Sequence, residues 1–191
     1  MYKLLQADKD LFRILNGKWH NSFFDWLMPY LRQAEVWLPL YLFVLVFVLM
    51  NVKKSGWFIL ICICTVALTD ILSSDIIKEL IFRTRPCHDP DVAETIRFLV
   101  SYCPQSSSFT SSHATNHFGL AVFWVIALKP YVGRWIYIGY FWAFIISYAQ
   151  IYVGVHFPID VFCGALVGII TGTIMGKLYT KKAGSLVLVN N

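Results

Sequence analysis

Charge is what this sequence has least of: 14% of its 191 residues are Asp, Glu, Lys or Arg, against 58% hydrophobic residues. A soluble all-helical protein of that composition would have to hide several uninterrupted apolar runs with too little polar surface to cover them. The composition weighs against that class, and a mean hydropathy of +0.61 points to lipid as the solvent. Near its start the chain also lacks a compact apolar core followed by a small-residue cleavage site. Lys3, Lys9, Arg13, Lys18 and Arg32 are instead dispersed there among acids and aromatics. The expectation is no cleavable signal peptide, so that the first span acts as its own insertion signal. The net charge of +5 comes without a continuous basic stripe, which argues against nucleic acid as a partner. With 17% aromatic residues, it suits an anionic bilayer interface.

What is present is helical. The pattern predicts an all-α, polytopic transmembrane helical bundle, a single membrane-embedded domain over residues 1–191. About five spans are expected: Val36–Met50, Trp57–Leu80, Ala114–Leu128, Trp135–Tyr152 and Ile159–Lys177. Ahead of them, residues 1–33 read as an interfacial leader. An amphipathic helix over Met1–Asn16 stops at Asn16-Gly17, and Ser22, with Asp25 three residues on, opens a short aromatic stretch read as a surface anchor. Gly164, Gly168, Gly172 and Gly176 recur at four-residue intervals and form a smooth ridge for close helix contact, within the chain or between chains.

One connection is long. Residues 83–112 contain Pro86, Pro90, Pro104 and a serine run, and polar loops of that length are usually functional. Five spans place Lys53, Lys54, Lys129, Arg134, Lys177, Lys181 and Lys182 on the opposite face, which the positive-inside rule makes cytoplasmic. The expected location is a bacterial inner membrane with the long loop facing the periplasm or exterior. Cys87 and Cys103 both lie in that loop, and a disulfide between them is expected in an oxidising compartment.

The chemistry-bearing residues fall in three segments. Asp70, Ser74 and Lys78 recur every four residues, turning one helical face polar, and Arg85-Pro86 follows. Thr110-Ser111-Ser112-His113 opens the third span, where unpaired backbone N–H groups and the helix dipole favour an anion. His156 precedes the last span and Asp160 sits in its first turn, close enough to hydrogen-bond an imidazole and leave its other nitrogen free as a nucleophile. The topology brings all three segments to one membrane face, and such a set of ionisable groups in a lipid-bound bundle is costly unless it works.

These residues resemble the type-2 phosphatidic acid phosphatase superfamily, with its three-part pattern. The first part, Lys, six residues and Arg-Pro, matches as Lys78, Arg85 and Pro86. Of Pro-Ser-Gly-His, Ser111 and His113 match, with Thr110 and Ser112 at the other two places. Of Ser-Arg, five residues, His, three residues, Asp, His156 and Asp160 match, while Ala149 and Gln150 replace Ser-Arg. The resemblance implies a phosphohistidine route without metal or other cofactor. Lys78, Arg85, Ser111, Ser112 and Gln150 would hold phosphate, His156 would attack phosphorus, Asp160 would orient it, and His113 would protonate the leaving alkoxide. Gln150 removes one cation, and Arg83, Arg97 or the Gln150 amide itself are the expected compensations.

Rival readings are a metal hydrolase using His113 and His117 with His88, Asp89 and Asp91, and an intramembrane Ser–His protease using Ser111 or Ser112. A third is a phospholipid carrier or flippase that binds the headgroup without cleaving it. Undecaprenyl diphosphate, phosphatidic acid or phosphatidylglycerol phosphate, and lipid A are the candidate substrates.

Overall fold

A computed structural model of the chain describes residues 2–183. The chain begins with α1 (Tyr2–Phe12), prolonged by a π-helical stretch at Arg13–Lys18, then α2 (Ser22–Leu31). A 3-10 turn at Ala34–Trp37 leads into α3 (Leu38–Asn51). Next come α4 (Ser55–Asp70), a π-helical stretch at Ile71–Ile77 and the short α5 (Lys78–Leu80). After the long loop follow α6 (Ser112–Val132), α7 (Ile138–Tyr152) and α8 (Pro158–Ala183).

By length and composition four helical stretches can cross a membrane: Ala34–Asn51, Ser55–Leu80, Ser112–Tyr152 and Pro158–Ala183. The third is two helices. Gly133, at φ +64° in the left-handed region that suits glycine, turns the chain, and α6 packs against α7. The chain is thus the expected polytopic helical bundle, and the five expected stretches match helices of the fold with ends zero to six residues from those expected.

Helix α6 is the centre of the bundle, packed against α4, α7 and α8 and buried along most of its length. The glycine ridge of α8 faces it. A Cβ added at Gly164 would lie 2.6 Å from the Ser111 carbonyl oxygen, and one at Gly176 would lie 2.8 Å from Ile126 Cδ1. At Gly168 and Gly172 it would strike the carbonyls of Thr115 and Gly119. The ridge thus serves an internal contact in which two backbones approach closely. Gly168→Leu is expected to force the helices apart, costing about 1–3 kcal/mol or more, and a lower melting temperature of the detergent-solubilised protein checks this.

The leader departs from expectation. Its first helix runs on to Lys18 through Asn16-Gly17, because Asn16 is buried and donates to the carbonyls of Arg97 and Tyr152 while accepting from Arg97 N–H. Asn21, one residue before Ser22, caps α2 by accepting from Phe24 N–H. Neither helix is merely an anchor: Asp8 reaches the long loop and the start of α8, and Asp25 pairs with Arg97.

Candidate active site

Two contacts bring the polar ends of α6 and α8 to the same level. Ser111 N–H donates to the Asp160 carbonyl at 3.0 Å, and the glycine ridge starts against Ser111. His113 and His156 therefore share one membrane face and lie within electrostatic reach of each other.

His156 occupies the short turn between α7 and α8 and is 3% exposed. Its Nδ1 is 3.8 Å from Asp160 Oδ2, beyond a direct hydrogen bond. Ser108 touches both: its hydroxyl donates to Asp160 Oδ2 at 2.5 Å and lies 3.4 Å from Nδ1. A proton on Nδ1 points to Ser108, so the lone pair resides on Nε2, where Arg85 Nη1 approaches to 3.2 Å. Burial, with the Arg85 charge adding and Asp160 opposing, pushes the His156 pKa down to about 4. The imidazole is consequently neutral, the form that carries a nucleophilic pair.

That shift has a direction that can be tested. The folded state holds the ring neutral, so protonation, and with it loss of the nucleophile and of fold stability, sets in as pH falls from the ordinary 6.5 towards about 4. Nitrogen NMR of imidazole-labelled protein, with His156→Ala for assignment, is expected to show a midpoint near 4; a midpoint at 6.5 overturns this.

Asp160 is fully buried and held from four sides. Besides Ser108, Phe157 N–H donates to Oδ2 at 2.9 Å and Arg83 Nη1 pairs with Oδ1 at 2.5 Å, while its backbone carbonyl accepts from Ser111. Arg83 Nη2 pairs with Asp8 of α1 at 2.6 Å, and the guanidinium stacks 4.3 Å over Phe157. Asp8 also accepts from Ile159 N–H. Carboxylates from both ends of the chain thus share one guanidinium. Their attraction outweighs the burial that opposes it and raises the Arg83 pKa. The sequence reading missed Asp8 and Ser108 because no periodicity or spacing links them to Asp160; the acid on the inward face of an otherwise amphipathic leader was the available sign for Asp8.

Arg85 is 5% exposed and spends its guanidinium on the Ser106 carbonyl and hydroxyl and the carbonyls of Val155 and Ser107, as well as His156. Burial pushes its pKa down to about 10, still protonated at neutral pH. Lys78, at the end of the α4 span, donates to Ser112 Oγ at 2.6 Å, and Ser74 Oγ lies 2.9 Å from the same oxygen. Ser112 faces Lys78. Ser111 is buried, with its hydroxyl accepting from Ala114 N–H at the start of α6.

Gln150 is also engaged within the protein. It is 0% exposed, its Nε2 donates to the Ile146 carbonyl, and its Oε1 accepts from Arg32 Nε at 3.3 Å. The expected stand-ins are engaged elsewhere, Arg83 with Asp8 and Asp160 and Arg97 with Asp25 at 2.5 Å. His113 Nε2 lies 3.2 Å from the Arg32 carbonyl oxygen.

The rival metal grouping does not assemble among the described residues. His117 contacts the His113 carbonyl and Tyr41, Asp89 and Asp91 both hold Lys9, and His88 lies 3.3 Å from Cys103 Sγ. Cys87 and Cys103 form the expected disulfide, two residues beyond Arg85. A groove of about 770 Å³ between α3, α4 and α6 is lined by Val44, Val48, Phe58, Leu120 and Trp124, and has Asp70, Asn116 and His117 as its polar lining. Asp70 accepts from Ser74 and Asn116, which joins the groove to the Lys78–Ser112 pair.

The chain is 30% identical to a lipid A 4'-phosphatase of Bacteroides thetaiotaomicron over 172 residues, 86% of this chain and 73% of that protein. It is 29% identical to a lipid A 4'-phosphatase of Porphyromonas gingivalis over 187 residues, 94% of this chain and 75% of that one. The crystal structure of Aquifex aeolicus LpxE superposes with a TM-score of 0.63 at 32% identity, covering 88% of this chain and 93% of that one. A PAP2-type phosphatidylglycerolphosphate phosphatase from Bacillus subtilis shares the fold, with a TM-score of 0.67 at 21% identity over 97% of this chain and 90% of that one. The sequence profile of the PAP2 superfamily covers residues 56–183, the stretch from α4 to the end of α8 that holds Lys78, Arg85, His113, His156 and Asp160, and the chain belongs to that superfamily.

Proposed function

We propose that this chain is a membrane lipid phosphatase that transfers the phosphoryl group of a lipid A-type glucosamine lipid to His156 and then to water. The observation that carries the reading is the contact of the buried His156 Nε2 with Arg85 at 3.2 Å, Arg85 being a cation with no carboxylate partner among the described residues. A phosphate arriving there is held by Arg85, Lys78 and Ser112, and its negative charge replaces the missing counter-charge.

In the first step Nε2 attacks phosphorus, the bond from phosphorus to the lipid oxygen breaks, and His113 gives a proton to the leaving alkoxide. The positive charge that grows on the His156 ring is met at Nδ1 by Ser108 and, through it, Asp160. In the second step water attacks phosphorus, His113 takes its proton, and the N–P bond breaks to release phosphate. The protein itself does electrostatic positioning, which is the larger part of phosphoryl-transfer catalysis. The route uses no metal.

The apolar groove beside the cradle supports a substrate with acyl chains, entering with its headgroup at the Ser74–Ser112 end. The activities named for the relatives favour lipid A among the candidates. The position of the lysine-rich loops supports a bacterial cytoplasmic membrane with the site on the outer face, as does the disulfide on the site's own side. A side-by-side assay of purified protein on lipid A, phosphatidic acid, phosphatidylglycerol phosphate and undecaprenyl diphosphate tests the reading. We expect the highest kcat/KM on lipid A, unchanged in chelator; preference for another lipid overturns the substrate, and absence of phosphate release from all four overturns the enzyme.

A further inference from the structure

We infer that Arg32, on the connection between α2 and α3, is a phosphate-binding residue of this site, and that Gln150 acts by holding it there. The inference rests on the phosphatase reading above and extends it to a part of the chain outside the stretch that the superfamily profile covers.

Charge accounting singles out the residue. Among the described residues, Lys9 pairs with Asp89 and Asp91, Arg13 with Asp10, Arg83 with Asp8 and Asp160, and Arg97 with Asp25. Of the cations that are not exposed, only Arg32, Lys78 and Arg85 make no ion pair among the described residues, and Arg32 lies within electrostatic reach of Arg85 and of His113. Like charges drawn together away from bulk water repel, and a partly buried cation without a carboxylate calls for an anion. A phosphate dianion at His156 is the shared partner that three such cations fit.

Geometry points the same way. Only Nε of Arg32 is used, donating to Gln150 Oε1 at 3.3 Å, which leaves both terminal nitrogens of the guanidinium for a bidentate contact with phosphate oxygens. The Arg32 carbonyl lies 3.2 Å from His113 Nε2, so the same residue also positions the proton-carrying ring. Gln150 is fully buried, its other end anchored on the Ile146 carbonyl, and offers a fixed acceptor. It stands where the resembled pattern has arginine. The cation missing from α7 is thus delivered from a segment 118 residues away.

A reciprocal pair of substitutions tests this. Arg32→Ala is expected to lower kcat/KM on lipid A by about 100-fold, with Arg32→Lys intermediate because it keeps charge without the fork. Gln150→Arg alone is expected to lower activity by crowding a second guanidinium into the same space. In the Arg32→Ala background the same Gln150→Arg change is expected to restore activity at least tenfold, a sign reversal that loss of packing would not produce. Inorganic orthophosphate supplies a readout free of turnover: it should raise the melting temperature of wild type and of Arg32→Ala/Gln150→Arg, and raise it less for Arg32→Ala. Wild-type kcat/KM in Arg32→Ala, or equal phosphate stabilisation of Arg32→Ala and wild type, overturns the inference. If wild type cleaves no lipid yet the phosphate shifts follow this order, the phosphatase reading fails and the binding role of Arg32 stands.

Discussion

His156→Ala is expected to reduce phosphate release from lipid A by roughly four orders of magnitude, the scale on which removing a covalent nucleophile acts. The side chain closes a small buried turn, so folding must be read separately, and a monodisperse detergent complex with α-helical circular dichroism checks it. His156 is the only imidazole among the described residues within hydrogen-bond distance of Arg85, and no other ring is in position to replace it. The complementary experiment traps the intermediate. With His113→Ala, the protonation of the alkoxide and the activation of water both suffer, and acid-labile phosphate on His156 should accumulate from an activated substrate whose leaving group needs no proton. Wild-type-like turnover of His156→Ala overturns the covalent route.

Asp160→Asn is expected to lower kcat by about 100-fold to 10,000-fold, the range seen when the carboxylate behind a catalytic imidazole is neutralised without change of shape. Three consequences of the local geometry produce the loss. The negative charge that stabilises an imidazolium at His156 disappears. The Ser108 hydroxyl loses its charged acceptor at 2.5 Å and is free to rotate away from Nδ1. Arg83 keeps only Asp8, so a half-buried guanidinium is left with one counter-charge where it had two. The last effect destabilises the fold as well, because a half-buried guanidinium that loses one of its two counter-charges is less well compensated for its lost hydration. Ser108→Ala separates the contributions: it removes the contact to Nδ1 and keeps the Arg83 pair, so its kcat should fall far less than that of Asp160→Asn while its melting temperature stays near wild type. Equal kcat for Asp160→Asn and wild type overturns the orienting role.

Much of this architecture was readable from the chain. The membrane helices follow from runs of apolar residues, since each crossing needs its own length of lipid-compatible helix, and that is a local property. Lys78, Arg85, His113, His156 and Asp160 were legible for a related reason: each sits at a helix end or in a loop next to one, and the alternation of crossings assigns helix ends to faces. The glycine ridge announced a close contact, but whether α8 met α6 or a second chain was decided by packing alone.

Contacts between segments that no period connects were out of reach. Asp8 to Arg83 spans 75 positions and Arg32 to Gln150 spans 118, and neither pair shares a helix, a face or a spacing. The sequence by itself determined that the chain inserts into lipid as a bundle of apolar helices and which polar residues end on one side of it, because burying apolar length and sparing ionisable groups from hydrocarbon leave few alternatives. Only the tertiary structure decided which cation serves which anion, since a guanidinium on a long flexible stem takes the nearest unsatisfied acceptor, and what is nearest depends on how the leader and the loop dock over the bundle.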